Sequence, residues 1–143
     1  MRQIKHSALI AQPPSRVFAI INDVESYPGF LPWCTHAKVL SRSEREIVAT
    51  VAVRKGPLHG EFTTRNELEP DKRITMRLVS GPFRTLEGEW VLTPIGEGGC
   101  RAELTMRFAF KNPLSAVLFE QKFAETMASL VDAFVARARG PEA

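Results

Sequence analysis

The chain has 143 residues, 44% apolar and 24% charged, with a net charge of +3. These proportions exclude wholesale disorder and fit one domain, residues 1–143, built on a single core. No apolar run approaches the ~18–20 residues of a membrane span, and the mild basicity admits an anionic partner without requiring one.

Residues 2–11 read as a first strand. Their apolar run, Ala8 to Ala11, is too short for a secretory leader, so a cytoplasmic location is expected. Gln12-Pro13-Pro14-Ser15 then opens a short helix, because prolines suit a first turn that needs no amide donor. Val17, Phe18, Ile20 and Ile21 form its apolar stripe. After Asn22-Asp23 a second short helical turn, around Glu25 to Phe30, enters the stretch SYPGFLPWC (Ser26–Cys34), with three aromatics and two prolines in nine residues.

From about residue 36 to 110 the period becomes two. Ile47, Ala49, Val51 and Val53 share one parity, as do Phe62, Thr64, Asn66 and Leu68. Ile74, Met76 and Leu78 continue the pattern, followed by Leu86, Gly88, Trp90 and Leu92, then Cys100 through Phe110. Such alternation predicts antiparallel strands with one covered face and one wet face. Lys55-Gly56-Pro57, Pro70-Asp71-Lys72, Ser80-Gly81-Pro82 and Gly96 to Gly99 supply the turns. Asn112-Pro113 opens a helix of about 27 residues, with Gly140 placed as its C-cap. The fold class is therefore α+β: seven antiparallel strands, two short helices after the first strand, and one long terminal helix.

Projected at 100° per residue, the long helix presents Phe119, Phe123, Ala124, Met127, Leu130, Val131, Phe134, Val135 and Ala138 on one half. Lys122, Glu125, Thr126, Ser129, Asp132 and Arg137 fall on the other. A twisted sheet of this size curls around such a helix, and periodicity alone leaves a packed core and a ligand cavity equally open. Glu120 breaks the apolar arc, so it must reach water, find a donor, or border a cavity mouth.

Motifs for chemistry are sparse. His6, His36 and His59 are scattered and show no metal-ligand spacing. The glycines at 96, 98 and 99 lie between strands, where no helix N-terminus follows to hold phosphate. Cys34 and His36 point the same way in extended chain, but nothing supplies an orienting group or an oxyanion site. Cys34 and Cys100 read as buried thiols. On the wet sheet face Arg65, Arg77, Arg101 and Arg107 alternate with Glu67, Glu87, Glu89 and Glu103, a pattern of cross-strand pairs. Arg54, Lys55, Lys72, Arg73, Arg84 and Lys111 lie in turns and at strand ends. Only if they gather at one edge do they make a surface for RNA or acidic lipid.

DVESYPGFLPWC (Asp23–Cys34), FTTRNEL (Phe62–Leu68), LVSGPFRTLEGEW (Leu78–Trp90) and AFVARA (Ala133–Ala138) resemble the coenzyme Q-binding START-domain proteins. They equally resemble the bacterial ribosome association toxin branch of the same family, in the polyketide cyclase-like superfamily. The resemblance implies the helix-grip (START/Bet v 1-like) fold, a curved sheet wrapped around the long helix with an apolar cavity between them. It implies one of two activities. The first is non-enzymatic binding of ubiquinone or a related prenyl lipid in support of respiration, with transient contact at the inner membrane surface. The second is toxin-like binding of the large (50S) ribosomal subunit that blocks 70S association. The superfamily's aromatase/cyclases would need a polar group such as Glu120 or His36 in the cavity. The expectation is a binding protein for a hydrophobic small molecule, with the ribosomal role as its alternative. No catalytic cofactor, metal site or DNA partner is expected. The resembling segments point to Tyr27–Cys34 and Gly81–Phe83 as cavity residues. Inward parity adds strand and helix positions, so the expected lining is Tyr27, Phe30, Leu31, Trp33, Phe62, Met76, Leu78, Phe83, Trp90, Phe108, Glu120, Met127 and Val131.

Overall fold

A computed structural model describes residues 1–139; Gly140, the expected C-cap, lies outside the described residues. Strand β1 (Arg2–Ile10) is followed by helix α1 (Pro14–Asn22), which starts on Pro14 and buries Val17, Ile20 and Ile21. A 3₁₀ turn (Val24–Gly29) leads into β2 (Cys34–Arg42) and then β3 (Glu46–Lys55), β4 (Leu58–Glu69) and β5 (Arg73–Ser80). The sheet finishes with β6 (Phe83–Ile95) and β7 (Gly99–Phe110), and helix α2 spans Pro113–Arg139. The Asn112 side chain caps α2 by accepting a hydrogen bond from the Leu114 amide at 2.8 Å.

All seven strands form one antiparallel sheet in the order β1-β7-β6-β5-β4-β3-β2. The meander from β2 to β7 follows from the short turns, and β1 returns to pair with β7 from Arg2↔Phe108 to Ile10↔Cys100. Helix α2 packs against β1, β7 and β4, while α1 crosses to α2, β6 and β7. The sheet therefore curls around α2, as the expected helix-grip arrangement requires.

Two local features shape the interior. The ladder between β4 and β5 shifts register at Thr63/Thr64, where Val79 bulges outward and stays exposed. Pairing between β5 and β6 ends at Arg77↔Glu87, so the remainder of that hairpin splays apart. In the connecting turn Gly81 has φ of +148°, and a Cβ there would lie 2.7 Å from the Phe62 Cβ. Only glycine combines that backbone with so close an approach.

The wet face behaves as its alternation predicts. Arg107 donates to Glu87 at 2.9 Å, and Arg65–Glu46, Arg77–Glu67 and Arg73–Glu89 pair at 3.6, 3.9 and 3.5 Å. These pairs are exposed and contribute a few tenths of a kcal/mol each. Thr126 departs from the helical projection. Placed on the polar half by periodicity, it is 1% exposed, and its hydroxyl donates to the Lys122 carbonyl at 2.7 Å. The sheet grips more than half of the helix circumference, and a small hydroxyl that bonds its own backbone tolerates that burial.

Candidate cavity and basic end

The Ser26–Cys34 segment is built as a rigid corner. The Tyr27 carbonyl accepts from the Phe30 and Leu31 amides at 3.1 and 2.8 Å, and the Leu31 carbonyl from the Cys34 amide at 3.0 Å. The Trp33 carbonyl accepts from the Arg54 amide at 2.8 Å, which ties the corner to β3. The Tyr27 hydroxyl donates to the Ile21 carbonyl. Burial, with Cys34 and Asp23 nearby, pushes its pKa up, so the phenol stays protonated. Tyr27, Phe30 and Phe134 meet edge to face at 5.6–6.0 Å between ring centroids, and Trp90 joins Phe134 at 5.5 Å. The Arg137 guanidinium caps Phe30 at 4.9 Å.

Behind this corner the sheet and α2 enclose a cavity of about 80 Å³. Tyr27, Trp33, Phe62, Met76, Trp90 and Met127 of the expected set come together around it. Val24, Ala49, Val51, Thr64, Asn66, Leu86, Gly88, Met106, Leu130 and Phe134 complete the wall, together with Glu87. Gly88 keeps part of the space open, since a Cβ there would come within 2.8 Å of the Met76 Cε and 3.7 Å of the Met106 Cε.

The remaining expected residues do not line it. Leu31 and Val131 pack into the surrounding core, and Leu78 sits half-buried beyond the splayed end of β5. Phe30 faces Arg137 at the outer side of the corner. Phe83 and Phe108 belong to a second aromatic cluster, with Phe123 5.1 and 4.7 Å from them and Phe83 stacked on Phe110 at 4.7 Å. That cluster fills the space beside the start of α2. Strand parity, which had marked Leu78 and Phe108, carries no information on position along the sheet, and segment likeness, which had marked Phe30, Leu31 and Phe83, carries none either. Glu120 is half-buried on α2 outside the cavity wall.

Asn66 is the polar residue that the sequence reading passed over. Its side chain is 9% exposed and lies on the cavity wall. Thr64 donates its hydroxyl to the Asn66 Oδ1 at 2.9 Å. The usable signal was an amide at an inward-parity position between Phe62 and Leu68.

Cys34 does not pair with the His36 ring. Its Sγ donates to the His36 carbonyl at 3.5 Å, His36 itself is exposed, and burial raises the Cys34 thiol pKa. Cys34 and Cys100 are both buried and free. No group of three or more His, Cys, Asp or Glu suited to a metal occurs among the described residues.

The basic positions divide between the two ends. Lys72 and Arg73 lie at the β4–β5 turn, where Arg73 pairs with Glu69 and Glu89. Arg54, Lys55, Arg84 and Lys111 gather at the other end. There His59 meets Phe119 at 5.7 Å, Gly60 lies against Pro82, and the Lys111 amide donates to the Pro82 carbonyl at 3.0 Å. All four side chains are exposed and make no ion pair among the described residues. Leu114, Val117 and Leu118, on the first two turns of α2, stand exposed beside them, Val117 by 82%. No helix is long and apolar enough to cross a membrane among the described residues.

The family model described as polyketide cyclase / dehydrase and lipid transport matches residues 10–135. A protein of Vibrio cholerae named ribosome association toxin RatA is 41% identical over 139 residues, which cover 97% of this chain and 96% of the relative. A Xenopus laevis protein named coenzyme Q-binding protein COQ10 homolog B, mitochondrial, is 28% identical over 123 residues, 83% of this chain and 50% of that one. Among solved structures, the Zhui aromatase/cyclase of Streptomyces has a TM-score of 0.85 at 20% identity, covering 96% of this chain and 93% of that one. At that identity the likeness concerns the fold alone.

Proposed function

The chain belongs to the polyketide cyclase / dehydrase and lipid transport family, and on that premise we propose that it is a ribosome-directed, toxin-like regulator that binds the large subunit and blocks 70S association without catalysis. The observation that carries this reading is the basic end: Arg54, Lys55, Arg84 and Lys111 placed at one end of the sheet from three separate turns and strand ends, none of them in an ion pair among the described residues. A ribosomal subunit presents RNA phosphate, and clustered cations bind it while releasing counterions. The apolar side chains of Leu114, Val117 and Leu118 add contacts that a purely electrostatic surface lacks. Full-length likeness to proteins named ribosome association toxins supports the same choice.

Purified protein added to ribosomes before sucrose-gradient sedimentation should lower the 70S peak and raise the 50S and 30S peaks. Unchanged proportions at a several-fold molar excess of protein would sink the proposal.

A second reading, binding of a prenyl quinone or similar lipid, is favoured by the aromatic and aliphatic cavity wall. Burying each ~100 Å² of such a ligand contributes about 2.5 kcal/mol. Ligand sites usually enclose about 300–1,000 Å³, and this cavity holds about 80 Å³. A prenyl lipid therefore enters only if α2 or the Ser26–Cys34 corner moves outward. Organic extraction of protein purified from a quinone-producing host should recover quinone near one per chain on this reading. An extract free of quinone and other lipid counts against it.

A further inference from the structure

We infer that Asn66 is the hydrogen-bond donor of a binding subsite, and that the molecule it takes is an apolar compound carrying a carbonyl oxygen. The inference goes beyond the ribosomal role and rests on the second reading, that the cavity admits a ligand.

Asn66 sits on β4 opposite Ile47 of β3 and Met76 of β5. It faces an interior whose other side chains are almost all hydrocarbon or aromatic. An amide carries one acceptor oxygen and two donor hydrogens. Here the oxygen is occupied by the Thr64 hydroxyl at 2.9 Å, and the Asn66 Nδ2 has no partner among the described residues. No sealed side-chain nitrogen or oxygen among the described residues lacks a hydrogen bond. The nitrogen therefore opens onto the cavity, where a molecule can reach it. A buried amide that offers only its donors selects for an acceptor.

The competing hydroxyl groups are already committed. The Tyr27 hydroxyl donates to the Ile21 carbonyl, so it does not donate into the cavity. The Thr64 hydroxyl spends its proton on Asn66. No carboxylate or cationic side chain stands at this point to select a charged head group: Glu87 is the one charged residue of the wall, and its Oε1 is held outside by Arg107 at 2.9 Å. A neutral carbonyl among Phe62, Trp90 and Met76 matches this lining. An acid, an amine or a plain hydrocarbon matches it less well.

Acetophenone and ethylbenzene test the inference, because they have nearly the same shape and differ by a carbonyl in place of a methylene. Affinities for both are measured by calorimetry on the wild-type protein and on Asn66→Leu. The substitution should weaken acetophenone binding by about 2- to 10-fold, the range of one neutral hydrogen bond, and leave ethylbenzene unchanged or tighter. Equal effects on the two probes would overturn the role of Asn66 while leaving the cavity reading intact. Failure of both probes to bind the wild-type protein would overturn the cavity reading and this inference together. Should Asn66→Leu fail to fold, the carbonyl stretch of acetophenone bound to the wild-type protein decides. A band at lower frequency than in alkane solvent supports the hydrogen bond, and a band at the alkane position overturns it.

Discussion

Phe123→Ala should destabilise the fold by about 3–5 kcal/mol, the range for truncating a buried phenylalanine. Phe123 is 2% exposed on α2, and its ring meets four others, with centroids 4.7 Å from Phe108, 5.1 Å from Phe83, and 6.1 Å from both Phe62 and Phe110. Edge-to-face pairs of this kind add about 0.5–1.5 kcal/mol beyond burial. The surrounding rings come from β4, β6 and β7, whose backbones are held by the sheet, so the site has little freedom to collapse. A domain of this size is stable by only about 5–15 kcal/mol, and the loss is a large share of that. Guanidinium unfolding should show a lower midpoint at an unchanged slope. A loss below about 1 kcal/mol would mean that the ring cluster is not the pillar holding α2 to the sheet.

The second large effect concerns the basic end. Replacing Arg54, Lys55, Arg84 and Lys111 together with alanine should weaken binding to purified 50S subunits by roughly 100-fold at physiological salt. Each phosphate contact removed lowers the slope of log K against log salt by about 0.7–0.9, so four contacts flatten it by about 3. The side chains are exposed, and each substitution should change stability by less than about 0.5 kcal/mol. Pelleting assays across a salt series read both quantities at once. Wild-type affinity and slope in the quadruple variant would move the ribosomal contact to another face. A uniform loss of affinity with an unchanged slope would instead assign the interaction to the apolar side chains of Leu114, Val117 and Leu118.

Catalysis of the aromatase/cyclase kind was expected to need a polar group in the cavity, such as Glu120 or His36. His36 is exposed on the edge strand β2, and Glu120 lies outside the cavity wall. Of the polar residues that do line it, Glu87 is held by Arg107 at 2.9 Å, and the Asn66 amide donates and accepts hydrogen bonds but does not titrate near neutral pH. The family's enzymatic fold neighbours share the scaffold, and function resides in the groups placed on it.

Strand count, strand parity and the long helix were legible because they are local. Away from bulges, a side chain's face in a strand depends on whether its number is odd or even, so the inward face of Phe62, Met76 and Trp90 was readable without any knowledge of their neighbours. The turn chemistry of Lys55-Gly56-Pro57 and Asn112-Pro113 is equally local. Position along the barrel is not. Phe108 has inward parity and Phe83, named by segment likeness, is turned inward by the register shift at Phe83/Thr85, yet the sheet stacks both with Phe110 and Phe123 at the far side of the cavity. Thr126 shows the same limit on the helix, since its burial depends on how far the sheet curls around it.

The elements, their order, the inward face of strands β3 to β7 and the family were thus readable from the sequence. Those properties follow from residue periodicity, turn preference and segment likeness. Three things came only with the tertiary structure: that four cations from three separate places in the chain share one end, that aromatic packing confines the cavity to about 80 Å³, and that the Asn66 Nδ2 has no partner among the described residues. Each depends on how the curved sheet brings distant stretches of the chain to one place. Sheet curvature is set by twist, bulges and missing side chains such as Gly88 acting together, and no single stretch of sequence carries it.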